Sequence, residues 1–137
     1  MRKAALQHIA FNCRDIRRQE AFYTKHFGFR RVRVFERGKP DEFLMLRLGP
    51  VCIELFPNAE APAAACAGGQ PVGFQHLAFE VPDLDKAMAG LHADGIATEP
   101  VIDCSGIVPG MRICFLHDPD GNRIELMQGY QDERNGV

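Results

Sequence analysis

Gln7-His8-Ile9-Ala10-Phe11 is written again, almost letter for letter, as Gln75-His76-Leu77-Ala78-Phe79. A repeat of this length means one supersecondary unit used twice, and this sets the fold. Working outward from each copy, an aspartate (Asp15, Asp83) stands seven residues after the histidine. An amphipathic segment follows, closed by Gly28 in the first copy and Gly95 in the second. Late in each copy comes Ile-Glu-Leu, at 53–55 and 124–126. The step from histidine to glutamate is 46 residues in one copy (8 to 54) and 49 in the other (76 to 125). Four matches in one order, at nearly equal offsets, mark a duplication.

Each copy reads as strand, helix, then three strands. In the first, 6–13 alternates as a strand does, and Asp15 caps a helix over 16–27 with Ile16, Phe22, Tyr23 and Phe27 on one side. Gly28 suits the left-handed residue after a helix. Strands follow over 30–37, 42–48 and 51–56, separated by turns at Gly38-Lys39-Pro40-Asp41 and Gly49-Pro50. In the second copy, 74–81 is a strand, Asp83 caps a helix over 84–94, and strands are expected near 96–102, 111–117 and 123–127. Asp118-Pro119-Asp120-Gly121 is a tight turn in which Gly121 supplies positive φ. The expected fold is therefore α+β. Two βαβββ modules (about 5–56 and 74–128) form one domain over 1–137 and curl into a cupped mixed sheet. The Ala-, Pro- and Gly-rich stretch 57–73 reads as a linker rather than a flap.

Composition narrows the function. Of 137 residues, 46% are hydrophobic and 25% charged, as in ordinary globular proteins. Sixteen basic residues against eighteen acidic ones give a net charge of −2, so no basic excess exists to hold nucleic acid. No apolar run approaches the roughly 18–20 residues that span a bilayer. The segment MRKAALQHIAFNCRD has no apolar signal core and runs into a strand pattern, so it is not read as a signal peptide. The five cysteines (13, 52, 66, 104, 114) form no C-x-x-C pair and suit reduced thiols in a cytoplasmic protein.

Strand alternation places the chemistry. His8, Ala10 and Asn12 share one face, and Ile9 and Phe11 the other. His76, Ala78 and Glu80 likewise oppose Leu77, Phe79 and Val81. Glu54 shares its face with Cys52 and Phe56, and Glu125 with Arg123 and Met127. The apolar faces should lie under the helices, which leaves each histidine and glutamate on the opposite side. Two carboxylates gathered in a cup need positive compensation, and no lysine or arginine repeats beside them. A divalent cation would supply it. Two imidazole nitrogens and two carboxylate oxygens suit Zn, Ni, Co, Fe or Mn, with open positions for substrate. His26 and His92 fall on polar helix positions and His117 before a turn, so these three read as non-ligands. Cys52 reads as a small wall residue rather than a nucleophile.

The motifs QHIAF, FYTKHFGF, CIELFPN, QHLAFEV and FLHDPDGNRIELM resemble the vicinal oxygen chelate superfamily over about residues 5–128. Its members include glyoxalase I, methylmalonyl-CoA epimerase, extradiol dioxygenases, and fosfomycin and bleomycin resistance proteins. The resemblance implies the paired-module glyoxalase-like fold, a homodimer, and His8, Glu54, His76 and Glu125 as ligands of a divalent metal ion. A second carboxylate, Glu54, resembles glyoxalase I more than the two-His, one-carboxylate members. The implied chemistry is proton transfer next to a carbonyl in a small-molecule substrate through a metal-stabilised enediolate, as in lactoylglutathione lyase. Glu125 is the base by resemblance, and the spacing leaves Glu54 as its alternative. Asn12 and Val72 stand where glyoxalase I often carries basic residues, whereas the asparagine four places after the first glutamate is present as Asn58. Asn12, Asn58, Cys52 and Arg123 are the candidate substrate contacts. Two other readings stay open. The stretch around His76 also resembles the CoA-ester epimerase, and the same cavity could serve a protein that sequesters an antibiotic or metabolite.

Overall fold

The computed structural model describes residues 5–60 and 74–133. Most of the expected linker, 61–73, with Cys66 and Val72, lies outside the described residues. The chain divides into two units, residues 1–64 and 65–137.

The first unit runs β1 (His8–Cys13), α1 (Ile16–Phe27), β2 (Arg30–Phe35), β3 (Phe43–Leu48) and β4 (Val51–Pro57). Its strands are ordered β1-β4-β3-β2, with β1 parallel to β4 and the other pairs antiparallel. The second runs β5 (Leu77–Glu80), α2 (Leu84–Ala93), β6 (Ile102–Asp103), β7 (Arg112–His117) and β8 (Arg123–Gln128). Its order, β5-β8-β7-β6, repeats the first with the same parallel pair. The duplication seen in the letters is thus a duplication of topology, and both units are the expected βαβββ module.

Local chemistry explains the elements. The Asp15 carboxylate accepts from the amides of Arg17 and Arg18 at 3.0 and 3.1 Å, and Asp83 accepts from Lys86 at 3.0 Å. Each carboxylate thereby satisfies donors that a helix start leaves open. Gly28 ends α1 at φ 78°, a conformation costly for residues with a Cβ. The side of α1 facing the sheet carries Phe22 and Tyr23, which meet edge to face at 5.2 Å, and Tyr23 also meets Phe11 and Phe29.

The sheets bury alternate residues. Leu44 and Leu46 of β3 are buried between half-exposed Phe43, Met45 and Arg47. Ile124 and Leu126 of β8 are buried between Arg123, Glu125 and Met127. Burying each such leucine or isoleucine contributes about 1.5–3 kcal/mol, enough to fix the register, since a one-residue slip would expose the whole set.

Two expected elements differ. The strand expected over 96–102 is reduced to Ile102–Asp103. Glu99 still donates to the Phe115 carbonyl at 2.8 Å, but Pro100 has no N–H and interrupts the ladder. The strand expected over 30–37 ends at Phe35 because Glu36 turns to φ 51° and its carbonyl accepts from Lys39. The Asp118–Gly121 turn forms as expected, with Gly121 at φ 85°.

Candidate active site

In the first unit, β1 and β4 lie side by side in parallel with Ala10 opposite Glu54, so His8 and Glu54 emerge on one face. Nε2 of His8 stands 2.9 Å from Oε1 of Glu54. In the second unit Ala78 is opposite Glu125, and His76 Nε2 stands 2.8 Å from Glu125 Oε2. His8 opens β1, whereas His76 falls one residue before β5 and still reaches its glutamate. The alternation argument therefore places both pairs correctly within their own units.

The carboxylates are recessed, with side-chain exposures of 12% for Glu54 and 13% for Glu125, while the imidazoles stand further out at 42% and 24%. Among the described residues no lysine or arginine pairs with either carboxylate. Their cross-strand neighbours are Met45 and Phe115. Within either unit, no third His, Cys, Asp or Glu joins the pair among the described residues. Each unit thus offers one nitrogen and one oxygen donor, set against apolar neighbours and lacking a fixed cation. That donor chemistry fits a borderline divalent ion.

The other expected site residues fall as follows. Asn12 is exposed on the His8 face, opposite Phe56, and Asn58 is exposed just past β4. Cys52 shares the Glu54 face but is fully buried, and its sulfur accepts from Gln7 Nε2 at 3.7 Å. The Arg123 guanidinium lies 3.7 Å over the Phe115 ring and 3.6 Å from a Glu99 carboxylate oxygen. His76 meets the same ring edge-on at 5.6 Å, so Phe115 joins the cation to the histidine. His117 pairs with Arg123 across β7 and β8, and its Nε2 is buried. His92 bonds Thr98, and His26 lies against Phe22.

Two features escaped the sequence reading. Phe35, Phe43 and Phe56 stack in a row at 4.4 Å spacing, and the last shares its face with Glu54. Their signal was weak, since three rings on three strands show no spacing in the chain. Gln7 and Gln75 are the second. Each bonds the Nδ1 atom of its following histidine, at 2.5 and 2.7 Å. Their signal was present, because both belong to the repeated pentapeptide.

Residues 5–126 match the Glyoxalase/Bleomycin resistance protein/Dioxygenase superfamily. The chain belongs to this family. The glyoxalase-superfamily chain is 36% identical over 127 residues to YwkD of Bacillus subtilis (strain 168), an uncharacterized protein, covering 90% of this chain and 96% of YwkD. The crystal structure of a glyoxalase family protein from Enterococcus faecalis superposes with a TM-score of 0.76 at 33% identity, covering 90% of this chain and 96% of that one. Lactoylglutathione lyase from Agrobacterium tumefaciens superposes with a TM-score of 0.65 at 25% identity, covering 93% and 95%. Among the described residues, no helix is long and apolar enough to cross a membrane.

Proposed function

We propose that this glyoxalase-superfamily chain is a metal-dependent lyase or isomerase of the lactoylglutathione lyase type. It would move a proton beside the carbonyl of a small-molecule substrate. The reading is carried by one observation, the duplicated imidazole–carboxylate pair at 2.9 and 2.8 Å. The likeness to the Agrobacterium enzyme supports it. His8, Glu54, His76 and Glu125 are the ligands. A single pair supplies half of a usual donor set, and the remaining positions are open to further donors and substrate.

A bound divalent cation supplies Lewis acidity towards the substrate's oxygens. The chain does the rest. Glu125 takes the proton from carbon and returns it to the neighbouring carbon, which needs a carboxylate able to alternate between ligand and base. Its side chain is recessed beside Phe115. Arg123, on the same strand face two residues away, offers a cation to an anionic part of the substrate. Asn12 and Asn58 offer neutral hydrogen-bonding groups in the first unit.

The test is metal analysis of the purified protein, followed by turnover of the methylglyoxal–glutathione adduct in D₂O. A bound first-row metal, loss of turnover on chelation, and solvent deuterium in the product are expected. Glu125→Gln should keep the fold and most of the metal while turnover falls at least a hundredfold, the lower range for a lost general base. Full activity in that variant overturns Glu125 as the base. Ligand binding unaffected by chelation, with no turnover, favours a sequestering protein instead.

A further inference from the structure

We propose that Arg30, Arg33 and Arg47 form an oxyanion subsite beside the His8–Glu54 pair, so that the substrate is an anionic carbonyl compound whose carboxylate or phosphate these guanidiniums hold. The proposal rests on the reading above for what happens at the carbonyl and adds the class of molecule that carries it. Residues 1–64 hold twelve basic and seven acidic side chains, and 65–137 hold four and eleven, so the small net charge hides a basic first unit. Such an imbalance draws anions towards that unit.

Strand register puts three of these cations on the site face. Met45 lies opposite Glu54 and Arg47 opposite Cys52, so Arg47 stands on the face of the His8–Glu54 pair. On β2, Arg30 lies opposite Arg47 and Arg33 opposite Met45. Arg30 and Arg33 are three residues apart, and a regular strand would turn them to opposite faces. The register shift between Arg31 and Arg33 brings them to one. Arg31 is left on the other face, where it bonds Glu20 of α1 at 2.9 and 2.6 Å. Irregularities of this kind re-aim side chains next to active sites. The Arg33 guanidinium lies 5.7 Å over the ring of Phe35, the outer member of the stacked row on the same face.

Without a ligand this arrangement is unfavourable. Arg30 and Arg47 are like charges directly opposite each other, which destabilises a strand pair. Among the described residues none of the three arginines pairs with a carboxylate, and Arg47 donates to the Gly49 carbonyl at 3.5 Å. Arg17 and Arg31 of the same unit both bond carboxylates. An oxyanion between the guanidiniums removes the conflict, because each planar fork matches a pair of carboxylate or phosphate oxygens. Arg33 stands two strands away from Glu54, about 10 Å at ordinary strand spacing. That separation puts the anion at one end of a small molecule and its carbonyl at the other.

The full chain, with no added metal and at fixed ionic strength, tests this. With ¹⁵N-labelled arginine, titration with inorganic phosphate or malonate should move the Nε signals of Arg33 and Arg47 along one saturating curve, while chloride should not. The probe that saturates at the lower concentration names the charged group, phosphate or carboxylate. Arg33→Gln and Arg47→Gln should each raise the dissociation constant for that probe about ten- to hundredfold, as loss of a hydrogen bond to a charged group does. Arg18→Gln, which removes an equal charge from α1, should leave it unchanged. Arg30→Gln relieves the like-charge pair and should melt no lower than the parent without probe, whereas removal of a purely structural arginine would destabilise. No saturation in the parent, or equal affinity in the variants at 18, 33 and 47, overturns the proposal. So does a parent without a probe response whose self-association, read by sedimentation, is lost in Arg33→Gln and Arg47→Gln, because the arginines then face the acidic second unit of another copy. Saturable binding by a protein that holds no metal and turns nothing over refutes the lyase reading and upholds the oxyanion subsite.

Discussion

Gly129 follows β8, the strand that carries Glu125, and adopts φ 82°. A Cβ built there would lie 2.5 Å from the carbonyl oxygen of Gly110 and 3.1 Å from its carbon. Ordinary contact begins at 3.4 Å, so Gly129→Ala falls about 0.9 Å short against backbone, which cannot rotate away as a side chain can. Two costs add. The left-handed conformation costs a residue with a Cβ about 1–2 kcal/mol. Forcing the 104–111 loop outward costs about 1–3 kcal/mol more, as overpacking does. The expected loss is about 2–5 kcal/mol. Gly95→Ala is the matched control, because it lies in the same unit at φ 77° with nothing within 4 Å and pays the first cost alone. Urea unfolding of the two variants beside the parent protein separates the terms, with equal m-values required for the comparison. The alanine at 129 should unfold at clearly lower urea than the one at 95. Variants within about 0.5 kcal/mol of each other would refute the steric argument and the close approach of Gly129 to Gly110.

Other consequences can be checked as readily. The Asp118 carboxylate accepts from the amides of Asp120 and Asn122 at 2.9 Å each and from Asn122 Nδ2 at 2.7 Å. Asp118→Ala strands these donors and should cost about 3 kcal/mol in urea unfolding, with Asp118→Asn intermediate. Arg112, bonded at 3.0 and 2.9 Å, holds the Asp85 carboxyl below the usual carboxylate range. Stabilisation from a depressed carboxyl is complete above its unfolded value, about 3.9, and is lost as pH falls through the folded value. The melting temperature of Asp85→Asn should therefore lie slightly below that of the parent at pH 7 and converge with it in acid. Cys13, Cys52, Cys104 and Cys114 are buried, and burial pushes the Cys114 thiol up. A Cys66→Ser protein should react slowly with Ellman's reagent when native and yield four thiols at once in denaturant.

The letters of the sequence carried the fold because both modules obey local rules. Asp15 and Asp83 cap where they stand, Gly28 and Gly121 take the conformations that glycine alone takes cheaply, and alternation in β3 and β8 separates buried leucines from outward residues. The same alternation put His8 with Glu54 and His76 with Glu125. What it could not supply was chemistry decided across strands. The row of Phe35, Phe43 and Phe56 depends on the lateral register of three strands, including the shift between Arg31 and Arg33. The lost strand at 96–101 was legible in principle, since Pro100 removes a donor. Gln7 was overlooked because neighbours in a strand point apart, and only the length of its side chain lets it fold back to the imidazole.

Within each module the imidazole stands at the start of the opening strand or just before it, the carboxylate lies on the closing strand, and these two strands are neighbours. Neither group meets the other until the intervening helix and hairpin have been laid down, so the pair is assembled by the contact of longest sequence separation in its unit. Closing such a contact costs loop entropy, so it forms late. A ligand gripping both side chains would act as a clasp on that seam, adding about 2.7 kcal/mol at a hundredfold excess over its dissociation constant. Protection of the β1–β4 and β5–β8 amides from exchange would then rise with ion concentration while that of β2 and β6, at the far end of each sheet, changed less.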